Sequence, residues 1–157
     1  MLVKDKKFIP YISAEEIQHR VREISNEIDK EFIKGETPVI ISILNGAFIF
    51  TADLMRHMEI DAEISFVKVK SYEGNKSSGK VKTFIGLDRE IKGRHIILLD
   101  DIIDTGLTFK HLLTELNAQQ PQSIRTCCLL FKKAAFKENF AIDYYGFEIE
   151  DKFVIGY

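Results

Sequence analysis

The chemistry of this chain concentrates in nine consecutive residues, Asp100-Asp101-Ile102-Ile103-Asp104-Thr105-Gly106-Leu107-Thr108. Three carboxylates stand close together and a turn of small residues follows. Carboxylates suit a hard cation such as Mg²⁺. A small-residue turn opening a helix suits a phosphate, because the first helical N–H groups lack partners and the helix dipole adds partial positive charge. Gly106 lets the backbone curl around an anion, and Thr105 and Thr108 offer hydroxyl donors. One end of the string therefore favours an anion that the other end repels. Sugar hydroxyls or a metal ion resolve that conflict, which points to a metal-bound, phosphorylated sugar or nucleotide as ligand.

Such a loop needs a strand behind it and a helix ahead. The run Ile96-Ile97-Leu98-Leu99 predicts a buried strand over 95–99, with Asp100 and Asp101 at its carboxyl end, where open α/β sheets collect ligands. Phe109, Leu112, Leu113 and Leu116 give the following helix one apolar face. Upstream, Ser13-Ala14-Glu15-Glu16 is a capping box, and Ile17, Val21, Ile24, Ile28 and Phe32 recur at helical spacing until Lys34-Gly35 ends the pattern. A strand is predicted over 39–44, a break at Asn45-Gly46, a helix over 47–57 and a strand over 64–69. Residues 71–82 hold a polar stretch rich in glycine and serine, a mobile loop of the kind that serves as a lid. Strands over 81–87 and 124–131 and short extended pieces at 144–149 and 153–155 complete the pattern. Strands alternating with helices imply a mainly parallel sheet covered on both faces.

Composition sets the outer bounds. A length of 157 residues is one domain's worth, with 45% hydrophobic and 29% charged residues, as in ordinary globular proteins. A net charge of -2 gives no global attraction to nucleic acid or an anionic membrane, and neither is expected as a partner. The start of the chain lacks the apolar core of a signal peptide, and Lys4, Lys6 and Lys7 read as a solvated segment. Cys127 and Cys128 are adjacent in a strand pattern and point to opposite faces, so they read as buried reduced thiols of a cytoplasmic protein. His19, His57, His95 and His111 have no ligand spacing with one another.

The acidic string resembles the phosphoribosyl-pyrophosphate (PRPP) motif of type I phosphoribosyltransferases, in the form of the hypoxanthine-guanine branch. Three other segments share the resemblance. Leu44-Asn45-Gly46 and the residues after it are similar to the family's pyrophosphate loop, Ser71-Tyr72 to the start of its lid, and Lys132 with Lys152-Phe153-Val154 to its purine pocket. Together they span about 39–157, in the family's order. The resemblance implies a Rossmann-like type I phosphoribosyltransferase fold: a mainly parallel sheet flanked by helices, with a small hood from the N- and C-terminal segments. It also implies roles. Asp100 and Asp101 contact the ribose hydroxyls, directly or through Mg²⁺. Residues Asp104, Thr105, Gly106, Leu107 and Thr108 hold the 5'-phosphate, and Asp104 also lies near N7 of the purine as the catalytic base. Leu44, Asn45 and Gly46 bind pyrophosphate, with the Leu44-Asn45 peptide cis. Lys132 donates to the six-position oxygen, Phe153 stacks on the base, and the Val154 backbone meets the base edge.

The implied reaction joins a 6-oxopurine to PRPP, giving a nucleoside monophosphate and pyrophosphate with Mg²⁺ as cofactor, in a homodimer or homotetramer. Two departures from the family pattern stand out. Asn45 replaces a basic residue found in many relatives. The pattern also runs on past Gly156-Tyr157 to an acidic residue and an arginine that help hold a second Mg²⁺ and pyrophosphate, positions with no counterpart in these 157 residues. Three other readings compete: a non-catalytic PRPP sensor that binds nucleic acid, a phosphoacceptor signalling domain, and a transferase for xanthine or a pyrimidine. The sensor needs an added domain or a basic face. The phosphoacceptor needs its acidic pair after the first strand, whereas here the trio comes late.

Overall fold

The computed structural model describes residues 2–3, 6–32, 35–71, 81–85, 87 and 89–156, with the backbone alone at 2–3, 6, 70–71 and 81–85. The element order is β1 (Leu2–Val3), β2 (Lys6–Lys7), α1 (Ala14–Glu31), β3 (Val39–Leu44), α2 (Phe48–His57), β4 (Glu63–Ser71), β5 (Val81–Ile85), β6 (His95–Ile103), α3 (Leu107–Asn117), β7 (Ser123–Phe131) and β8 (Tyr144–Glu148).

α1 starts where its local chemistry dictates. The Ser13 hydroxyl accepts the Glu16 N–H at 3.2 Å, and the Glu16 carboxylate accepts the Ser13 N–H at 2.8 Å. This reciprocal box satisfies two otherwise unpaired donors. Val21, Ile24 and Ile28 are the buried face, as their spacing predicts. The helix stops at Glu31, short of the expected Lys34-Gly35, and Lys34 itself lies outside the described residues. Phe32 turns extended as the C-cap, and its ring meets His95 edge-on at 5.5 Å.

The main sheet runs β5-β4-β3-β6-β7-β8. Five strands are parallel and β5 is the antiparallel edge. Strand alternation splits the core in two. Ile40, Ile97 and Cys127 face α1 and α2 with Ile24, Phe50 and Leu54, whereas Ile41, Leu98 and Cys128 face α3 with Phe109 and Leu112. The two thiols are free and buried on opposite faces, as expected, and burial raises the pKa of both, leaving them inert.

Two boundaries correct the sequence reading, and both bear on the site. β6 does not end at Leu99. Ile102 and Ile103 continue the ladder opposite Leu130 and Phe131, so Asp100 and Asp101 are strand residues and the loop shrinks to 104–106. Ser71 closes β4 while Val81 and Lys82 open β5, so both ends of the polar stretch are strand. The rest of the expected lid, Tyr72 included, lies outside the described residues.

At the other end, β1 and β2 pair antiparallel, so Lys6 and Lys7 form part of a small hood and not merely a solvated start. Residues 7–12 approach 152–156 there, with Phe8 and Phe153 rings 6.2 Å apart, and with Ile17, Leu129 and Leu130 the segments line a half-open cavity of about 690 Å³. Among the described residues no helix is long and apolar enough to cross a membrane.

Candidate active site

The site is built at the carboxyl edge of the sheet. Three helices begin among the described residues, and their N-termini differ. α1 is capped by its own side chains and carries Glu15 and Glu16 in its first turn. α2, after β3, has no side-chain cap and no acid in its first turn, and α3, after β6, has neither as well. The two helices that start at adjacent strand ends thus present unsatisfied N–H groups and positive dipole ends on the same edge, an arrangement suited to anions.

Between them lie Asp100 and Asp101, both half-buried. The Asp101 N–H donates to the Asp100 carboxylate and the Ile102 N–H to the Asp101 carboxylate, each at 2.9 Å. Burial, reinforced by the neighbouring Asp101, pushes the Asp100 carboxyl well above the usual carboxylate range. No lysine or arginine forms an ion pair with either acid among the described residues. An acid pair this crowded fits a divalent cation. No cluster of three or more ligating side chains accompanies it among the described residues. The pair therefore suits Mg²⁺, which takes one or two carboxylates and completes its shell from substrate and water oxygens.

The raised Asp100 pKa gives a stability prediction. The unfolded chain releases this proton at lower pH than the folded one, so stability falls as pH rises through the window between the two pKa values. Asp100→Asn removes that penalty. In calorimetry without ligand or divalent cation, the variant is expected to melt higher than wild type at pH 8 and level with it below about pH 4, the ordinary aspartate range. A pH-independent difference would place the effect elsewhere.

The turn after β3 closes over the acid pair. The Leu44-Asn45 peptide is cis, as the resemblance implies. Gly46 then passes so close to Asp101 that a Cβ built on it would lie within 2.7 Å of three carboxylate atoms. A side chain there would displace the Asp101 carboxylate, so the close approach, not the dihedral angles, favours glycine. Gly106, the N-cap of α3, is required for both reasons: its φ is +87°, and a Cβ would meet the Phe136 ring at 2.6 Å. Thr105 and Thr108 are half-buried beside it, whereas Leu107 is exposed.

Lys132 stands just past the end of β7, its N–H donating to the Ile103 carbonyl at 2.9 Å. Its side chain is 10% exposed, and Nζ lies 3.0 Å from Asp151 Oδ1 and 3.4 Å from Asp104 Oδ2. The hydrogen bond to Asp151, then the charge of Asp104, hold the ammonium pKa above its ordinary value. The purine-pocket candidates therefore divide. Lys132 and Asp104 meet. Lys152, Phe153 and Val154 instead line the hood cavity with Phe8, Ile9 and Tyr11. Lys152 is exposed and paired with Glu150 at 2.5 Å, and the Phe153 ring is largely exposed. The contact of Asp151 with Lys132 is not readable from the sequence, where Asp151 is one acid among several, whereas the N-terminal side of the hood, residues 7–12, is what the resemblance implies.

A mainly parallel sheet with two uncapped helix starts flanking an acid pair is an arrangement suited to a phosphorylated, metal-bound ligand. The chain belongs to the phosphoribosyl transferase domain family, whose model matches residues 13–157. It is 40% identical over 156 residues to hypoxanthine-guanine phosphoribosyltransferase of Aquifex aeolicus, covering 99% of this chain and 88% of that protein. It is 39% identical to the hypoxanthine-guanine-xanthine phosphoribosyltransferase of Tritrichomonas foetus, covering 92% and 79%. Among solved structures, a Bacillus anthracis hypoxanthine-guanine phosphoribosyltransferase superposes with a TM-score of 0.86 at 36% identity, covering 93% of this chain and 84% of that one. A Trypanosoma cruzi hypoxanthine phosphoribosyltransferase complexed with its product IMP gives 0.86 at 33% identity, covering 94% and 79%.

Proposed function

We propose that the chain transfers the 5-phosphoribosyl group of PRPP to hypoxanthine and guanine, giving IMP or GMP and pyrophosphate, as a purine salvage enzyme of the cytoplasm. The observation that carries this reading is the pair at the mouth of the phosphate turn: a carboxylate, Asp104, and an ammonium, Lys132, 3.4 Å apart. That spacing sets an acceptor beside a donor, which matches a protonated N7 next to a six-position oxygen on one edge of an oxopurine. The family relatives support the same base class by name.

In this reading the 104–108 turn binds the 5'-phosphate through the open N-terminus of α3. Residues 44–46 bind pyrophosphate with backbone amides, since Asn45 brings no charge. Asp100 and Asp101 hold the ribose hydroxyls and Mg²⁺. When bound, Mg²⁺ neutralises the leaving pyrophosphate. The carboxylates stabilise the positive charge that develops on the ribose. Asp104 holds or takes the N7 proton as general base. Phe153 and the Val154 backbone, with Lys152, close on the base from the hood, and Ser71 and Tyr72 begin the lid. The working form is a homodimer or homotetramer.

Lys132 sets the choice of base. An amino group at position six would face the ammonium donor to donor, leaving the lysine N–H aimed at it and the amino N–H both unpaired, a mismatch worth several kcal/mol. With PRPP and Mg²⁺ present, hypoxanthine and guanine are expected to exceed adenine in kcat/KM by at least about 100-fold. Lys132→Ala should raise the hypoxanthine KM by roughly 10- to 100-fold and shrink that preference. Unchanged purine affinity in the variant would remove Lys132 from its role. Xanthine belongs in the same base panel, because the Tritrichomonas foetus relative is named for it.

A further inference from the structure

Lys132 is held from two sides, and only one of its partners belongs to the machinery described so far. Asp104 must turn toward the ring nitrogen during reaction, so it cannot also fix the lysine. Asp151 can. Its Oδ1 is the nearer acceptor, 3.0 Å against 3.4 Å. The chain just ahead of it is also tied to the lysine's strand end: two residues before Asp151, the Ile149 N–H donates to the Phe131 carbonyl at 2.9 Å, one residue before Lys132. The neighbouring acids are engaged elsewhere, Glu148 with Lys133 at 3.3 Å and Glu150 with Lys152 at 2.5 Å. Asp151 is thus the acid of this stretch that reaches Lys132.

We propose that Asp151 is a positioning residue for base recognition, holding the Lys132 ammonium toward the six-position oxygen when the purine takes its place beside Asp104. This rests on the role given to Lys132 above. An ammonium has three donors on a flexible four-carbon stem. With Asp151 keeping one, a donor can pass from Asp104 to the incoming oxygen without the stem losing its aim. Without Asp151, the lysine's remaining partner is Asp104, and the ion pair closes over the edge that the base must occupy. Asp151 itself is 62% exposed, so it reaches a buried cation from the surface and can be replaced without opening the core.

The test is a kinetic cycle with hypoxanthine as the varied substrate, at saturating PRPP and Mg²⁺. Asp151→Asn is expected to raise the hypoxanthine KM about tenfold while kcat changes less than about threefold. Asp151→Glu should recover most of the loss. In a Lys132→Ala background, Asp151→Asn should add less than about twofold, because the residue acts through the lysine. An unchanged KM, or the same loss in both backgrounds, overturns the proposal. The proposed function is judged separately in the same experiment: it fails, and this inference with it, if wild type turns over no purine. It stands while the Asp151 role alone falls if Lys132→Ala raises KM and Asp151→Asn does not.

Discussion

Replacing Asp104 with asparagine lowers the turnover of hypoxanthine by about 10²- to 10⁴-fold, the usual worth of a positioned general base, while PRPP affinity changes little. The substitution keeps the size and a carbonyl acceptor but removes the charge that takes or holds the N7 proton. Asp104 is suited to that task by its place. It is the first residue after β6, exposed at the mouth of the α3 turn, and the ring of contacts that fixes the turn does not run through its side chain. That ring consists of the Gly106 backbone under Phe136, the Thr105 carbonyl accepting the Lys137 N–H at 3.3 Å, and the Gly106 carbonyl accepting the Lys110 N–H at 2.9 Å. The phosphate cradle should therefore survive the change. Rapid-quench turnover and calorimetric PRPP titration separate the two effects. Equal losses in both would mean that Asp104 positions the sugar and is not the base.

Gly46→Ala is expected to lower kcat/KM for PRPP by about 100-fold, the scale of an ångström-level misplacement of reacting groups. A methyl at this position overlaps the Asp101 carboxylate, so either the acid swings away or the 44–46 turn lifts. Both outcomes separate the 44–46 turn, proposed to bind pyrophosphate, from the acid pair proposed to face the ribose and its metal. Asn45 and Gly46 are exposed, so the loss should fall on PRPP kinetics with the melting temperature changed by only a few degrees, a shift of about 1 kcal/mol or less. The hypoxanthine KM should move far less than that of PRPP, because Lys132 and Asp104 lie on the other side of the acid pair. A variant with wild-type PRPP kinetics would show that the Asp101 carboxylate has room to move without consequence.

Much of this molecule is legible in its sequence, and the parts that are not share a cause. The Ser13 box and the buried stripe of Val21, Ile24 and Ile28 are local, so spacing alone predicts them. β3 is legible as an apolar run interrupted only by Ser42, because both of its faces are covered. The overrun of β6 is different. Two aspartates read as the end of a strand, and only pairing with Leu130 and Phe131 carries the ladder past them. The glycine at position 46 reads as a turn, but its contact with Asp101 depends on two strands lying side by side. Asp151 looks like any acid in a charged stretch until the register of β7 and β8 brings it to Lys132. The hood cavity needs residues 7–12 and 152–156 to meet, and no periodicity announces that. Local chemistry was readable, whereas long-range register was not.

If one site joins PRPP to a 6-oxopurine, its two products must form in balance. The purified protein is incubated with PRPP, Mg²⁺ and hypoxanthine, and IMP and pyrophosphate are quantified over time. Both are expected to accumulate in equal amounts, and neither to form without the base. PRPP binding with no IMP formed from hypoxanthine, and no nucleotide from guanine, would contradict the proposed transfer and leave a sensor in place of an enzyme.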